Sequence, residues 1–334
     1  MSSTKGLALV TGANGFIGAR TVEAFLSANY SVRAVVRSQN VSLQPTLHIT
    51  APGAFDDAIK DVTAVAHLAT PVDFTNTDVE YVIRSAVQGT LGILNSAINE
   101  PGLKAFVYMS SIVAVRGRGP KYQGRAVTEE DWNDEAEETL AEAGAEVTGH
   151  QIYAASKVKA ERAFWDFRAK NASKISFSMT AINPAWVAGP PLIMPEDPEK
   201  LSDTAIIAYR VMMGQEVPPV GPGNGTHVDV RDVARLVVFA AENSKVADGQ
   251  RYLAGGNGNF ANIQAYRDIL LRAYPDRKSI IGAGEPGKGY LEGYAEPPDA
   301  RRIDARKAAK ATGQDWIPFE KTVLDAAKRY ERYM

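Results

Sequence analysis

The sequence of 334 residues contains no cysteine, which removes disulfides, thiolate metal sites and cysteine nucleophiles from consideration. Histidine is scarce, with four copies and no helical pair, so zinc has little to hold it. Long apolar runs are missing too. Leu7 to Val10 near the N-terminus is far shorter than a signal h-region or the ~20 residues of a membrane span. Nor is there a dominant charge: 37 basic against 39 acidic side chains leave −2, no field for a nucleic-acid backbone or an anionic membrane. Hydrophobic residues at 45% and charged residues at 23% argue against disorder and coiled coil. At roughly 150 residues per domain the length admits one large domain or two small ones. These bounds predict a cytoplasmic, enzyme-like globule that is a monomer or homodimer. Its partner should be a small molecule, with no nucleic acid and no membrane.

The chain opens with a short apolar run, Leu7 to Thr11, that meets a glycine cluster and reads as a buried parallel strand. Phe16, Ile17, Val22, Phe25 and Leu26 follow at helical spacing, and Ser31 to Val36 reads as a second strand. Further strands are expected at 64–68, 105–110 and 176–182, with helices near 78–98 and 151–170. Alternation of this kind predicts an α/β fold with a Rossmann-type doubly wound parallel sheet. After Asn183-Pro184 the texture changes, and loops marked by Gly189-Pro190-Pro191 and by 217–226 predict a smaller, interleaved C-terminal lobe. A helix at 228–241 and a strand at 249–254 return to the first unit, and 319–333 reads as a closing helix. Residues 1–185 plus about 227–254 would then bind the dinucleotide, and about 186–226 plus 255–334 would bind substrate. The acidic run from Glu129 to Glu146 reads as a solvated helix or loop.

Three clusters carry chemistry. In Thr11-Gly12-Ala13-Asn14-Gly15-Phe16-Ile17-Gly18 the glycines fall between the first strand and the first helix. Gly12 permits the tight turn, Gly15 lets backbone approach a pyrophosphate, and Gly18 lets helix pack on strand. A plain glycine turn is the alternative. Where NAD enzymes place a carboxylate after the second strand, this chain has Arg37, whose guanidinium suits a 2′-phosphate and so NADPH, unless it is simply a surface arginine. Tyr153 and Lys157 share one helical face, where an ammonium beside a phenol would lower its pKa and make it a usable acid. As an isolated pair they could equally be structural. Ser110 and Ser111 end the strand at 105–110, at the edge where open sheets bind ligands, although strand termination alone would explain them.

These motifs in this order resemble the extended short-chain dehydrogenase/reductase family, and within it the branch of dihydroflavonol, cinnamoyl-CoA, methylglyoxal and aldehyde reductases. The stretches 54–59, 67–71, 183–190 and 228–234 extend the likeness over most of residues 7–240. The resemblance implies that Ser111 polarises a carbonyl with Ser110 behind it, that Tyr153 donates the proton, and that Lys157 also holds the nicotinamide ribose. It implies that Ala69 and Thr70 line the cofactor, that Pro184 and Val187 offer backbone to the carboxamide, and that Phe74, Ile112 and Trp186 wall the substrate pocket. Two departures stand out. Only ~10 residues separate the second strand from any third at Leu47 to Ile49, short for a crossover helix. That segment also lacks the aspartate with which relatives contact adenine.

The function expected is therefore NADPH-dependent reduction of an aldehyde or ketone to an alcohol, on a substrate with apolar character. Two alternatives are an NAD-dependent nucleotide-sugar epimerase or dehydratase of the same family and a catalytically silent NADP-binding sensor. Arg37 argues against the first, and the intact Ser111, Tyr153 and Lys157 against the second.

Overall fold

The computed structural model describes residues 4–36, 49–70, 74, 76–117, 119–122, 124–217, 225–256, 260–289 and 302–334. In chain order its elements are β1 (Leu7–Thr11), α1 (Phe16–Ser27), β2 (Ser31–Val35), β3 (Ala64–His67), α2 (Val79–Ala97), β4 (Ala105–Met109), α3 (Glu135–Ala143), α4 (Gly149–Lys170) and β5 (Ser178–Pro184). There follow β6 (Trp186–Ala188), α5 (Ile206–Met212), β7 (Gly225–Asp229), α6 (Val230–Glu242), α7 (Ser244–Ala247), β8 (Arg251–Ala254) and β9 (Phe260–Ala261). The last α-helices among the described residues are α8 (Ile263–Ala273), α9 (Lys278–Ile281), α10 (Arg306–Thr312) and α11 (Phe319–Tyr330).

Among the described residues the main sheet is parallel throughout, in the order β2-β1-β3-β4-β5-β8. Both faces are covered, which is why β3, β4 and β5 are buried along their whole length. Side chains alternate across β4. Ala105, Val107 and Met109 join Val10, Phe25, Val233 and Val237 under α1 and α6. Phe106 and Tyr108 turn the other way, to Ile93, Leu94 and Phe164 under α2 and α4. Each large apolar side chain so buried contributes about 1.5–3 kcal/mol relative to exposure.

The order of the sheet reverses between β1 and β3, and that switch point opens a crevice at the carboxyl ends of the strands. A second, small sheet in the order β6-β7-β9 begins just past β5 and carries a separate apolar cluster from α5, α8 and α11. The buried Tyr330 hydroxyl donates to Ala205 O at 2.6 Å and fastens α11 to the start of α5. The strands expected at 7–11, 31–36, 64–68 and 105–110 and the helices expected near 78–98 and 151–170 are present within two residues of their predicted ends. The third strand expected at 47–49 falls mostly outside the described residues. Ile49 itself lies in a turn and packs toward Gly89 of α2. The acidic run does form the exposed α3, but its first residue turns inward: Glu129 Oε1 accepts from Leu253 N at 3.2 Å. No described helix is long and apolar enough to cross a membrane.

Candidate active site

Thr11 ends β1 and organises the crevice. Its hydroxyl oxygen accepts from Leu68 N at 3.1 Å and Ala69 N at 3.0 Å, which pins the chain leaving β3 beside the glycine turn. His67 Nδ1 lies 2.9 Å from the same oxygen. Burial drives the His67 imidazole down to about 3, so it is neutral, and with both Thr11 acceptor positions filled the hydroxyl donates to His67 Nδ1. Gly12 then takes φ +68°, a left-handed conformation that suits glycine. Gly18 packs so closely that a Cβ there would lie 2.0 Å from Gly12 O. Among the described residues no side chain caps α1 at Gly15. The N–H groups at the start of α1, without a partner among the described residues, border the crevice, and this arrangement fits the pyrophosphate of a dinucleotide.

The crevice is a cavity of about 1810 Å³, larger than the ~300–1,000 Å³ of a pocket for one small ligand. Gly12, Asn14, Gly15, Phe16, Ile17, Gly18, Thr70, Pro184 and Val187 line it, and so do Phe74, Ser111, Ile112, Tyr153, Lys157 and Trp186. Ala69 stands between the lining residues Leu68 and Thr70, with its N–H donated to Thr11. Arg37 lies outside the described residues.

Helix α4 carries the phenol and the ammonium into the cavity. A capping box fixes its start: Gln151 Oε1 accepts from Thr148 N at 2.8 Å while the Thr148 hydroxyl accepts from Gln151 N. Ser111 stands just past β4 and lines the same cavity as Tyr153. Lys157, 3% exposed, donates from Nζ to Met109 O at 3.1 Å and sits 5.9 Å from the centre of the Tyr153 ring. Burial lowers the Lys157 ammonium to about 8, with Glu161 opposing the shift. Burial raises the Tyr153 phenol, and the neighbouring Ser111 hydroxyl works against that rise. The expected lowering of the phenol by Lys157 is therefore not found. The ammonium is turned to the Met109 carbonyl, and desolvation outweighs it.

Behind these groups lies a buried polar network that the motifs do not contain. Glu161 is fully buried one turn beyond Lys157. Its Oε2 accepts from Ser110 Oγ at 2.5 Å and Asn183 Nδ2 at 2.7 Å, and its Oε1 from Arg251 Nε at 2.7 Å. Asn183 Nδ2 also donates to Ser111 O at 3.2 Å. On the cavity side, Phe74 stacks on His150 with ring centres 4.2 Å apart and meets Tyr153 edge-on at 5.3 Å. His150 escaped the sequence reading, although its place one turn before Tyr153 could have flagged it. Trp186 joins the cavity to the cluster of the second lobe, and Ile112 packs with Val115, Tyr122 and Ile303.

Residues 8–255 match the family model described as the NAD dependent epimerase/dehydratase family. The chain belongs to this family. It is 33% identical over 341 residues to an uncharacterised oxidoreductase of Schizosaccharomyces pombe, covering 97% of this chain and 96% of that one. It is 34% identical over 232 residues to aldehyde reductase 2 of Sporidiobolus salmonicolor, covering 64% and 65% of the two chains. Its fold superposes with a TM-score of 0.83 on yeast methylglyoxal/isovaleraldehyde reductase Gre2 complexed with NADPH, at 27% identity and over 98% of both chains. The resemblance to the extended short-chain dehydrogenases/reductases and their aldehyde-reductase branch therefore stands.

Proposed function

We propose that this family member is an NADPH-dependent carbonyl reductase that converts an aldehyde or ketone to the alcohol. The observation that carries the reading is the convergence of Ser111, Tyr153 and Lys157 on one cavity that also contains the uncapped start of α1. The yeast and Sporidiobolus relatives named above, a methylglyoxal/isovaleraldehyde reductase with NADPH and an aldehyde reductase, support it. Gly12, Asn14, Gly15, Phe16, Ile17 and Gly18 would hold the pyrophosphate, Thr70, Pro184 and Val187 the nicotinamide side, and Arg37 the 2′-phosphate. The dinucleotide held by these residues would supply the hydride for the carbonyl carbon. Ser111 donates a hydrogen bond to the carbonyl oxygen, and Tyr153 gives it the proton as negative charge develops. A phenol raised by burial is held protonated at neutral pH, as a donor must be. Lys157 orients the ribose and leaves a positive charge beside the phenolate that remains.

Phe74, Ile112 and Trp186 would wall an apolar substrate. In this reading 1–185 with about 227–254 holds the cofactor, and about 186–226 with 255–334 forms the substrate lobe of a cytoplasmic enzyme. The test follows the loss of reduced-nicotinamide absorbance with NADPH and then NADH against aldehydes, aryl ketones and diketones. NADPH-selective consumption is expected, and folded Tyr153→Phe should lose roughly 10²–10⁴-fold in turnover. Full activity of Tyr153→Phe would sink the assignment of the proton donor.

A further inference from the structure

The buried network behind Ser111 is larger than carbonyl reduction on the three motif residues requires. Glu161 contributes a carboxylate with no solvent exposure, and its partners come from three strands: Ser110 after β4, Asn183 in β5 and Arg251 in β8. Arg251 extends the network outward. Its Nη1 donates to Glu129 O and Asp131 O, both at 2.7 Å, and its guanidinium lies 4.0 Å from the Trp132 ring. The wall of the cavity between Ser111 and α3 is thus fastened to the catalytic helix through one carboxylate.

Lys157 stands four residues before Glu161 on α4, on the same face of the helix, and both are buried. The groups around its ammonium are Tyr153 and Glu161 on α4, His67 at the end of β3, Tyr108 of β4 and the Met109 carbonyl. His67 is neutral, and burial holds both tyrosines protonated. Among the described residues, the anionic group acting on Lys157 is Glu161. Trp165 Nε1 also reaches Glu161 Oε1, at 3.4 Å.

We propose that Glu161 is a positioning residue of this site: its carboxylate, fixed by Ser110, Asn183 and Arg251, holds the ends of β4 and β5 beneath Ser111 and keeps the Lys157 ammonium charged. A carboxylate that served packing alone would satisfy Arg251 and leave the ionisation of Lys157 untouched. The inference rests on the carbonyl-reductase reading, and its test separates the two.

The pH profile of kcat/KM and the pH dependence of NADPH affinity, read by fluorescence, are measured from about pH 6 to about pH 10 for wild type, Glu161→Gln and Glu161→Asp. With the charge gone, Lys157 loses its proton at lower pH. The alkaline limb of Glu161→Gln should move about one unit toward acid in both measurements, a roughly tenfold relative loss on that limb. Glu161→Asp keeps the charge and shortens the reach. It should retain the wild-type limb while turnover falls. If Glu161→Gln fails to fold, Glu161→Gln with Arg251→Met removes both buried charges together and should move the limb in the same direction by a smaller amount. An unshifted limb in whichever of these folds overturns the inference. A wild type that turns over no carbonyl overturns the reductase reading instead, and the NADPH-affinity arm still decides the role of Glu161.

Discussion

Two glycines of the first turn separate stability from cofactor binding. At Gly18 an added Cβ would stand 2.0 Å from Gly12 O and 2.8 Å from Gly12 C. Both atoms are backbone, so no side chain can swing aside, and α1 must retreat from the turn by roughly 1 Å. Overpacking of this kind costs about 1–3 kcal/mol, and the better helix propensity of alanine returns up to ~1 kcal/mol. Gly18→Ala should therefore lose about 1–2 kcal/mol, read as a lower urea midpoint at unchanged slope. Gly15 differs. Its φ of −76° suits any residue, and a Cβ would meet only Gly12 O, at 3.2 Å. Gly15→Ala should keep its stability within ~0.5 kcal/mol while its methyl stands where the pyrophosphate approaches. Losing one charge-assisted hydrogen bond there costs ~1.5–3 kcal/mol, a roughly 10–100-fold weaker Kd for NADPH. The assays are urea unfolding without cofactor and fluorescence titration with NADPH. Unchanged NADPH affinity in Gly15→Ala, or wild-type stability in Gly18→Ala, would refute this account of the turn.

Two further outcomes concern buried ionisable groups. Lys157, lowered by burial to about 8 from 10.5, carries a penalty in the folded state. Between those values the unfolded chain binds the extra proton, so stability rises with pH through that window. Lys157→Met should remove the penalty and raise the unfolding free energy at pH 7, read by urea unfolding, by about 1–2 kcal/mol once the lost Met109 hydrogen bond is discounted, while turnover collapses. A variant less stable than wild type at pH 7 would mean that the buried ammonium is not a burden. His67 is likewise neutral when folded, at about 3 against 6.5. Its share of stability is full above the unfolded value and is lost as pH falls toward the folded one. His67→Gln should flatten the acid limb of stability by roughly 3–5 kcal/mol, and an unchanged limb would show that other groups govern acid unfolding.

What could be read from the sequence was local. The glycine turn, Ser110-Ser111 and Tyr153 with Lys157 each lie within one strand end or one helical turn, where spacing fixes neighbours. The apolar runs of β1, β3 and β4 betrayed a sheet covered on both faces. The strands of the second sheet were less legible. β6 and β9 are only three and two residues long, and their partner β7 is reached across long stretches of chain. No period can emerge from so few residues.

The electrostatics of the site were not legible, and the reason is physical. An i to i+4 spacing says that Tyr153 and Lys157 share a face, but not that Nζ turns to Met109 O. Glu161 gives no signal of its own in the sequence, because glutamate is seldom fully buried without a partner and its partner Arg251 is 90 residues away. Once the sheet brings β8 beside β5, that pair becomes possible, and Asn183 and Ser110 complete it. A spacing motif names the groups that meet the substrate. The charge state in which they meet it depends on residues that only the finished fold can assemble.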